Sequence, residues 1–230
     1  TTEAGRVATF YWAMKQAGLD SPNYQVTELH RNGNFEGSYL LIDKFGSGWR
    51  NQYGFSNGDL FEDGGPTIWP DHMKLDRQDP SKRGYVLDEN NIPALINYVA
   101  MAAILQHHDT NATQNIVYYH SNKTDRWQIL PWDHNGDLFN NGPILISNSY
   151  DNYETPLGSE RYYQTAFYDQ PDLRKAYYRR LSTLVDKFYT NDGLRNKYLE
   201  NSAAYTNLNA LDYAKWPTQF KTATKEADLA

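Results

Sequence analysis

The sequence predicts an α+β domain, and three observations carry that prediction. Two β-prone stretches, 24–44 and 116–132, are each broken by a tight-turn signal. Apolar residues recur at helical spacing over 92–103 and 171–189. The order along the chain is helix, hairpin, long loop, buried helix, hairpin and helices, with no internal repeat and no low-complexity segment. At 230 residues the chain is expected to form a single domain over 1–230. A chain of this size can bury roughly 70 % of its unfolded surface.

Residues 3–17 read as the first helix, since Val7, Phe10, Met14 and Ala17 share one face and Gly18 supplies a terminator. Tyr24 to Arg31 alternates weakly, Asn32-Gly33 is a strong hairpin-turn pair, and Ser38 to Lys44 is apolar and β-prone. Gly46 to Arg83 is rich in Gly, Pro, Asn and Asp and is expected to be irregular, functional or mobile. A second helix opens near Asp88–Asn91, with Pro93 suited to its first turn. Ile92, Leu95, Ile96, Val99, Ala102 and Ala103 give it a stripe wide enough for a buried helix. Ile116 to His120 and Trp127 to Trp132 form a second hairpin around the turn at 122–125. Residues 134–158 read as loop, followed by helices at 159–169, 171–189 and 192–206. Leu173, Tyr177, Leu181, Leu184 and Phe188 carry the apolar face of the longest. Tyr118, Trp127 and Trp132 are expected in the core, and Tyr162, Tyr163, Tyr177 and Tyr178 between helices.

Composition excludes several classes. Lys+Arg 22 against Asp+Glu 28 leaves a net charge of -6, which disfavours a general nucleic-acid binder. An aromatic content of 15 % argues against wholesale disorder. No apolar run is long enough to span a membrane. With Cys 0 there is no disulfide, thiolate zinc site or cysteine nucleophile. The first residues, Thr1 to Arg6, show neither a signal peptide nor a start methionine and read as a processed or truncated end.

The chemistry concentrates in 105–139. A buried helix ends in a segment holding Asp109 and Asn115, and a hairpin then delivers Asp133. Two carboxylates and an amide at the ends of neighbouring elements can converge on a cation-bound polyphosphate, as phosphoryl transfer requires. Ordinary protein kinases place a catalytic-loop Asp, an Asn shortly after it and a metal-binding Asp further on. The order here is the same, although Asn115 comes six positions after Asp109 instead of five. The same residues also suit a turn cap at Asp109 and a strand end at Asp133.

Rival motifs are weaker. Asp133 to Asp137 mimics the start of an EF-hand loop, but its sixth and twelfth positions are Leu138 and Ile144, where Gly and Glu are needed. His107, His108, His120 and His134 lack zinc-site spacing, since adjacent histidines cannot share a helix face. His108 is better suited to orienting the Asp109 loop. The abundant aromatic and amide side chains also suit a carbohydrate-binding or adhesive surface.

In several pieces the chain resembles the spore-coat CotH family of atypical protein kinases, over nearly all of its length. Asn32-Gly33 with Gly37-Ser-Tyr-Leu-Leu-Ile-Asp43 resembles that family's NG…G-x-Y-L-L-x-E stretch, and Gly58-Asp-Leu-Phe-Glu62 its G-N-L-Y-K. Asp109 with Asn115-Ile-Val-Tyr-Tyr resembles the catalytic-loop segment, and Ile129-Leu-Pro-Trp-Asp133 the I-P-W-D that holds a metal-binding Asp. Asp212 and Trp216 resemble a terminal D-x-x-x-W.

The resemblance implies an atypical protein-kinase-like fold, here mostly the central and C-terminal helical lobe with β-hairpins in the first half. It further implies ATP and Mg²⁺ or Mn²⁺ as cofactors, and phosphorylation of Ser or Thr hydroxyls on secreted or surface proteins. The expected location is therefore extracellular or at the cell surface. Asp109 would be the catalytic-loop Asp, Asn115 a metal ligand and Asp133 the principal metal ligand. Asp43, Glu62 and Asn135 would lie in the nucleotide and phosphate neighbourhood. Three departures stand out: Asp43 replaces a Glu, Glu62 a Lys and Asn135 a second Asp. The family's basic, β-rich front segment has no counterpart before Thr1, so association with such a segment is expected. The alternative is a kinase-like binding or adhesion protein without turnover.

Overall fold

A computed structural model describes residues 2–62, 87–105, 115–133 and 170–216. Within them the α+β class is borne out, as helices packed with two small antiparallel sheets. The opening helix, α1 (Thr2–Gln16), buries Val7, Phe10, Tyr11 and Met14. Gly18 stops it at φ 84°, a conformation that glycine adopts without a Cβ clash.

Strands β1 (Tyr24–Arg31) and β2 (Asn34–Ile42) form the first hairpin, in register from Tyr24↔Ile42 to Arg31↔Asn34. Asn32 and Gly33 both have positive φ, 52° and 79°, as the two-residue turn between right-twisted strands requires. A bulge falls between Leu29 and His30.

The first part of the stretch after this hairpin corrects the sequence expectation, and the rest of it, 63–83, lies outside the described residues. Residues 46–62 are ordered into α2 (Ser47–Tyr53) and β3 (Gly58–Glu62), not irregular. Helix α2 is short and glycine-containing, and Trp49 anchors it in the core. β3 becomes a strand by pairing with β4 (Ile116–Ser121), so the second hairpin is part of a three-stranded sheet in the order β3-β4-β5. β5 (Arg126–Pro131) pairs with β4 from Ile116↔Pro131 to Ser121↔Arg126.

Strand β4 is the centre of this sheet, and both its faces are covered. Ile116 and Tyr118 join the large core with α1, α3 (Ile92–Ile104) and α4 (Pro171–Val185). Val117 and Tyr119 face a second cluster of Phe45, Trp49, Phe55 and Leu130. α3 starts as expected: Asn91 caps it by accepting from the Ala94 N–H, and Pro93 occupies its first turn.

The helical second half packs onto this frame. α4 lies on α3, and α5 (Gly193–Ala204) lies on α1. Arg180 ties three of these elements, donating to Asn97 Oδ1 and to the Ala17 carbonyl, both at 2.6 Å. α4 runs into a wider π turn over Asp186–Thr190. The helix expected over 192–206 stops at Ala204, and buried Tyr205 precedes a further helix, α6 (Thr206–Lys215), which packs on β2. Tyr177 is buried as expected, whereas Tyr178 is exposed, and Trp127 and Trp132 are half-buried, not fully in the core. The helix expected at 159–169, the loop at 134–158, and Tyr162 and Tyr163 lie outside the described residues. No helix among the described residues is long and apolar enough to cross a membrane.

Candidate functional site

The sequence candidates gather at one end of the three-stranded sheet. β4 and β5 turn at residues 122–125, so their open end lies at Ile116 and Pro131. Asn115 immediately precedes this end, and Asp133 lies two residues beyond it. Glu62 closes β3 opposite Val117 at the same end, and it is exposed. The sheet thus brings Glu62, from a strand remote in sequence, to the same end as Asn115 and Asp133 of the β4–β5 hairpin.

Asn115 and Asp133 share a second property. Both are non-glycine residues at positive φ, 57° and 49° respectively. Such backbone is sparsely populated, and Asn and Asp enter it most readily because their short polar side chains bond locally. The two residues flanking the hairpin therefore leave the strand path in the same unusual way, at the point where the ladder ends.

Asp43 stands at the open end of the first hairpin. Its N–H donates to the Asn23 carbonyl at 2.9 Å, and its carboxylate accepts from Asn23 Nδ2 at 2.6 Å. The same Nδ2 lies 2.7 Å from the Tyr53 hydroxyl, and Lys15 Nζ donates to Asn23 Oδ1. Asp43 is thus held in a polar knot between α1, the first hairpin and α2. Two residues later Phe45 packs on Trp132, with ring centroids 5.4 Å apart. The open ends of the two hairpins meet through that contact.

The helix that leads into the Asp109 segment is pinned at its last turn, where the Tyr189 hydroxyl donates to the Ile104 carbonyl at 2.9 Å. Asp109, His108 and Asn135 themselves lie outside the described residues, as do His107, His134 and most of the EF-hand-like stretch. His120 stacks on Trp127, with ring centroids 4.6 Å apart, and contacts Asp125 at 3.0 Å near the hairpin turn, the opposite end from Asp133. Among the described residues no group of three or more His, Cys, Asp and Glu gathers as a metal cluster. The amide oxygen of Asn115 and the carboxylate of Asp133 are hard oxygen donors and fit a hard divalent cation by type.

Sequence reasoning missed the aromatic cluster behind Trp132. Its signal was legible: Phe45, Trp49 and Tyr53 recur every four residues, the spacing of one helix face.

Comparison with known proteins follows the same direction. The family model described as CotH kinase protein matches residues 78–229, roughly two thirds of the chain. The matched range holds Asp109, Asn115, Asp133 and Asp212, while the hairpin pieces around Asp43 and Glu62 precede it. No curated protein matches the chain.

Proposed function

The chain belongs to the CotH kinase family, and from that premise we propose that it phosphorylates Ser or Thr hydroxyls of secreted or surface proteins from ATP. The observation that supports this reading is the shared placement of Asn115 and Asp133. Both sit at the open end of the β4–β5 hairpin on left-handed backbone, each offering an oxygen donor. Mg²⁺ or Mn²⁺, when bound there, neutralises charge on the phosphate oxygens.

The residues divide the remaining work. Asn115 and Asp133 hold the cation, and His108 orients the Asp109 segment. Asp109 accepts the proton of the acceptor hydroxyl as its oxygen forms the new bond to the γ-phosphorus, and ADP leaves. Asp43, Glu62 and Asn135 lie around the nucleotide. The overall arrangement is a kinase-like fold in one domain, acting outside the cell or at its surface.

A second reading, a kinase-like binding or adhesion protein, is favoured by one observation. Glu62 is an exposed carboxylate at the same sheet end, where a phosphate would be repelled.

The test is transfer of label from γ-labelled ATP, with Mg²⁺ or Mn²⁺, to a Ser/Thr-rich acceptor, alongside nucleotide-dependent thermal shift. The expected result is transfer that is lost in Asp133→Ala and Asp109→Ala. Nucleotide binding without transfer supports the second reading, and absence of both overturns the kinase reading.

A further inference from the structure

The β4–β5 ladder ends at Ile116↔Pro131, so no strand pairing fixes the backbone at Trp132 and Asp133. Asp133 nevertheless holds φ 49°. A non-glycine residue persists on such sparsely populated backbone where its surroundings over-determine it. The half-buried ring of Trp132 carries the backbone frame past the last ladder pair, and it rests on Phe45.

Phe45 is itself fixed. It is 3 % exposed, and its ring meets Trp49 edge-on with centroids 4.6 Å apart. Trp49 stacks on Phe55 at 5.0 Å, and Phe55 meets Tyr119 of the central strand at 4.7 Å. A line of rings therefore runs from the middle of the sheet, through α2, back to the residue before Asp133. This gives a role to the aromatic residues of the segment after the first hairpin.

We infer that Phe45 is a positioning residue for Asp133, acting through Trp132. Phe45 seats the Trp132 ring, and the seated ring fixes the direction in which the Asp133 carboxylate leaves the sheet. The inference rests on the reading of Asp133 as a cation ligand, and its test separates the two.

The chain is titrated with Mn²⁺ alone, and free Mn²⁺ is followed by electron paramagnetic resonance, while folding is followed by near-ultraviolet circular dichroism and thermal unfolding. Phe45→Ala is expected to weaken Mn²⁺ binding roughly tenfold, the scale on which supporting residues tune metal sites. Phe45→Leu serves if the alanine variant unfolds, and it is expected to weaken binding less. Phe45→Tyr, which keeps the ring, is expected to restore it. Leu194→Ala opens the separate large core on α5, so it is expected to lower thermal stability and leave Mn²⁺ affinity unchanged. Equal Mn²⁺ affinity in wild type, Phe45→Ala and Phe45→Leu overturns the inference alone, provided Asp133→Ala has lost binding. Unchanged affinity in Asp133→Ala, or no uptake by the wild type, overturns the ligand reading and the inference with it.

Discussion

Ser38 and Asp212 lie 174 residues apart and are joined twice: the Ser38 N–H donates to Asp212 Oδ1 at 2.9 Å, and its hydroxyl donates to the other carboxylate oxygen. Asp212 is only 5 % exposed. Beside it Lys215 donates to the Phe35 carbonyl and lies 2.8 Å from Glu36, and the Trp216 indole N–H donates to the Glu36 carbonyl at 3.2 Å. Side chains of α6 therefore take up backbone groups along β2 at residues 35–38. An edge strand with unpaired backbone groups is a template for wrong pairing, and α6 covers this one.

That clasp predicts the cost of removing it. Asp212→Ala leaves a half-buried N–H and hydroxyl without their acceptor, which costs about 1–3 kcal/mol. Urea denaturation should show this as a lower midpoint. Amide exchange at 35–38 should rise more than exchange in β4, because β4 does not touch α6 through these contacts.

The sequence made some of this legible and hid the rest. Asn32-Gly33 specifies a turn through its own backbone preferences, and the stripe from Leu173 to Phe188 specifies a buried helix face, so both were readable locally. Gly37-Ser38 and Asp212-x-x-x-Trp216 were visible as separate pieces of a family pattern, but nothing local says that one accepts the other's protons. β3 was hidden for the same reason: Gly-Asp-Leu-Phe-Glu becomes a strand only because β4 offers it an edge. At the candidate site, the positions of Asn115 and Asp133 beside the hairpin followed from the strand pattern. Their shared left-handed backbone and the Phe45 contact depend on where the ladder ends, which no spacing reveals.

Gly58 predicts a sharp steric cost. A Cβ there would fall on the His120 carbonyl oxygen and 2.6 Å from the Tyr119 ring. Both neighbours belong to the central strand, so neither can move freely. Gly58→Ala is expected to destabilise by about 1–3 kcal/mol or to unpair β3. Gly33→Ala is the contrast: nothing lies within 4 Å, and only its φ of 79° is at stake. Its expected cost is about 1–2 kcal/mol. Thermal unfolding of the two variants, with amide exchange at 58–62, checks the difference in kind.

Glu36 predicts a pH dependence. The hydrogen bond from Lys215 holds its carboxyl below the ordinary value of 4.5, with Arg31 adding to the effect. A carboxyl whose folded value is depressed stabilises the fold above its unfolded value, and that contribution disappears as pH falls through the folded value. The gap in stability between wild type and Glu36→Gln should therefore be present at neutral pH and close in the acid range, below the usual glutamate titration. Paired denaturation curves from pH 7 to pH 3 test this. A gap independent of pH would mean that the carboxylate does not act through its charge.

Tyr189 predicts an effect on the candidate site from outside it. Its hydroxyl donates to the carbonyl of Ile104 at the last turn of α3, just before the segment that carries His108 and Asp109. Tyr189→Phe removes that bond while keeping the ring, at a net cost of about 0.5–1.5 kcal/mol. If transfer depends on Asp109, the variant should lower kcat several-fold with little change in KM for ATP, because the loss falls on proton acceptance and not on nucleotide binding. An unchanged kcat beside the same stability loss would confine Tyr189 to holding the helix end.

Glu62 gives the most direct contest between turnover and its absence. It is exposed at the end of β3, one strand away from Asn115, and its charge opposes any phosphate held at that sheet end. Glu62→Lys reverses the charge at a site open to solvent, where such a pairing contributes about 0.2–1 kcal/mol, so nucleotide affinity should rise about 1.4- to five-fold. The gain should shrink as salt is raised from 0.05 to about 0.5 M, since exposed charges are screened over a Debye length near 10 Å at 0.1 M. Glu62→Gln, which removes the charge without adding a cation, should fall between the two. Equal ATP affinity in all three chains at low salt would place the phosphates away from β3 and leave the sheet end to the cation ligands alone.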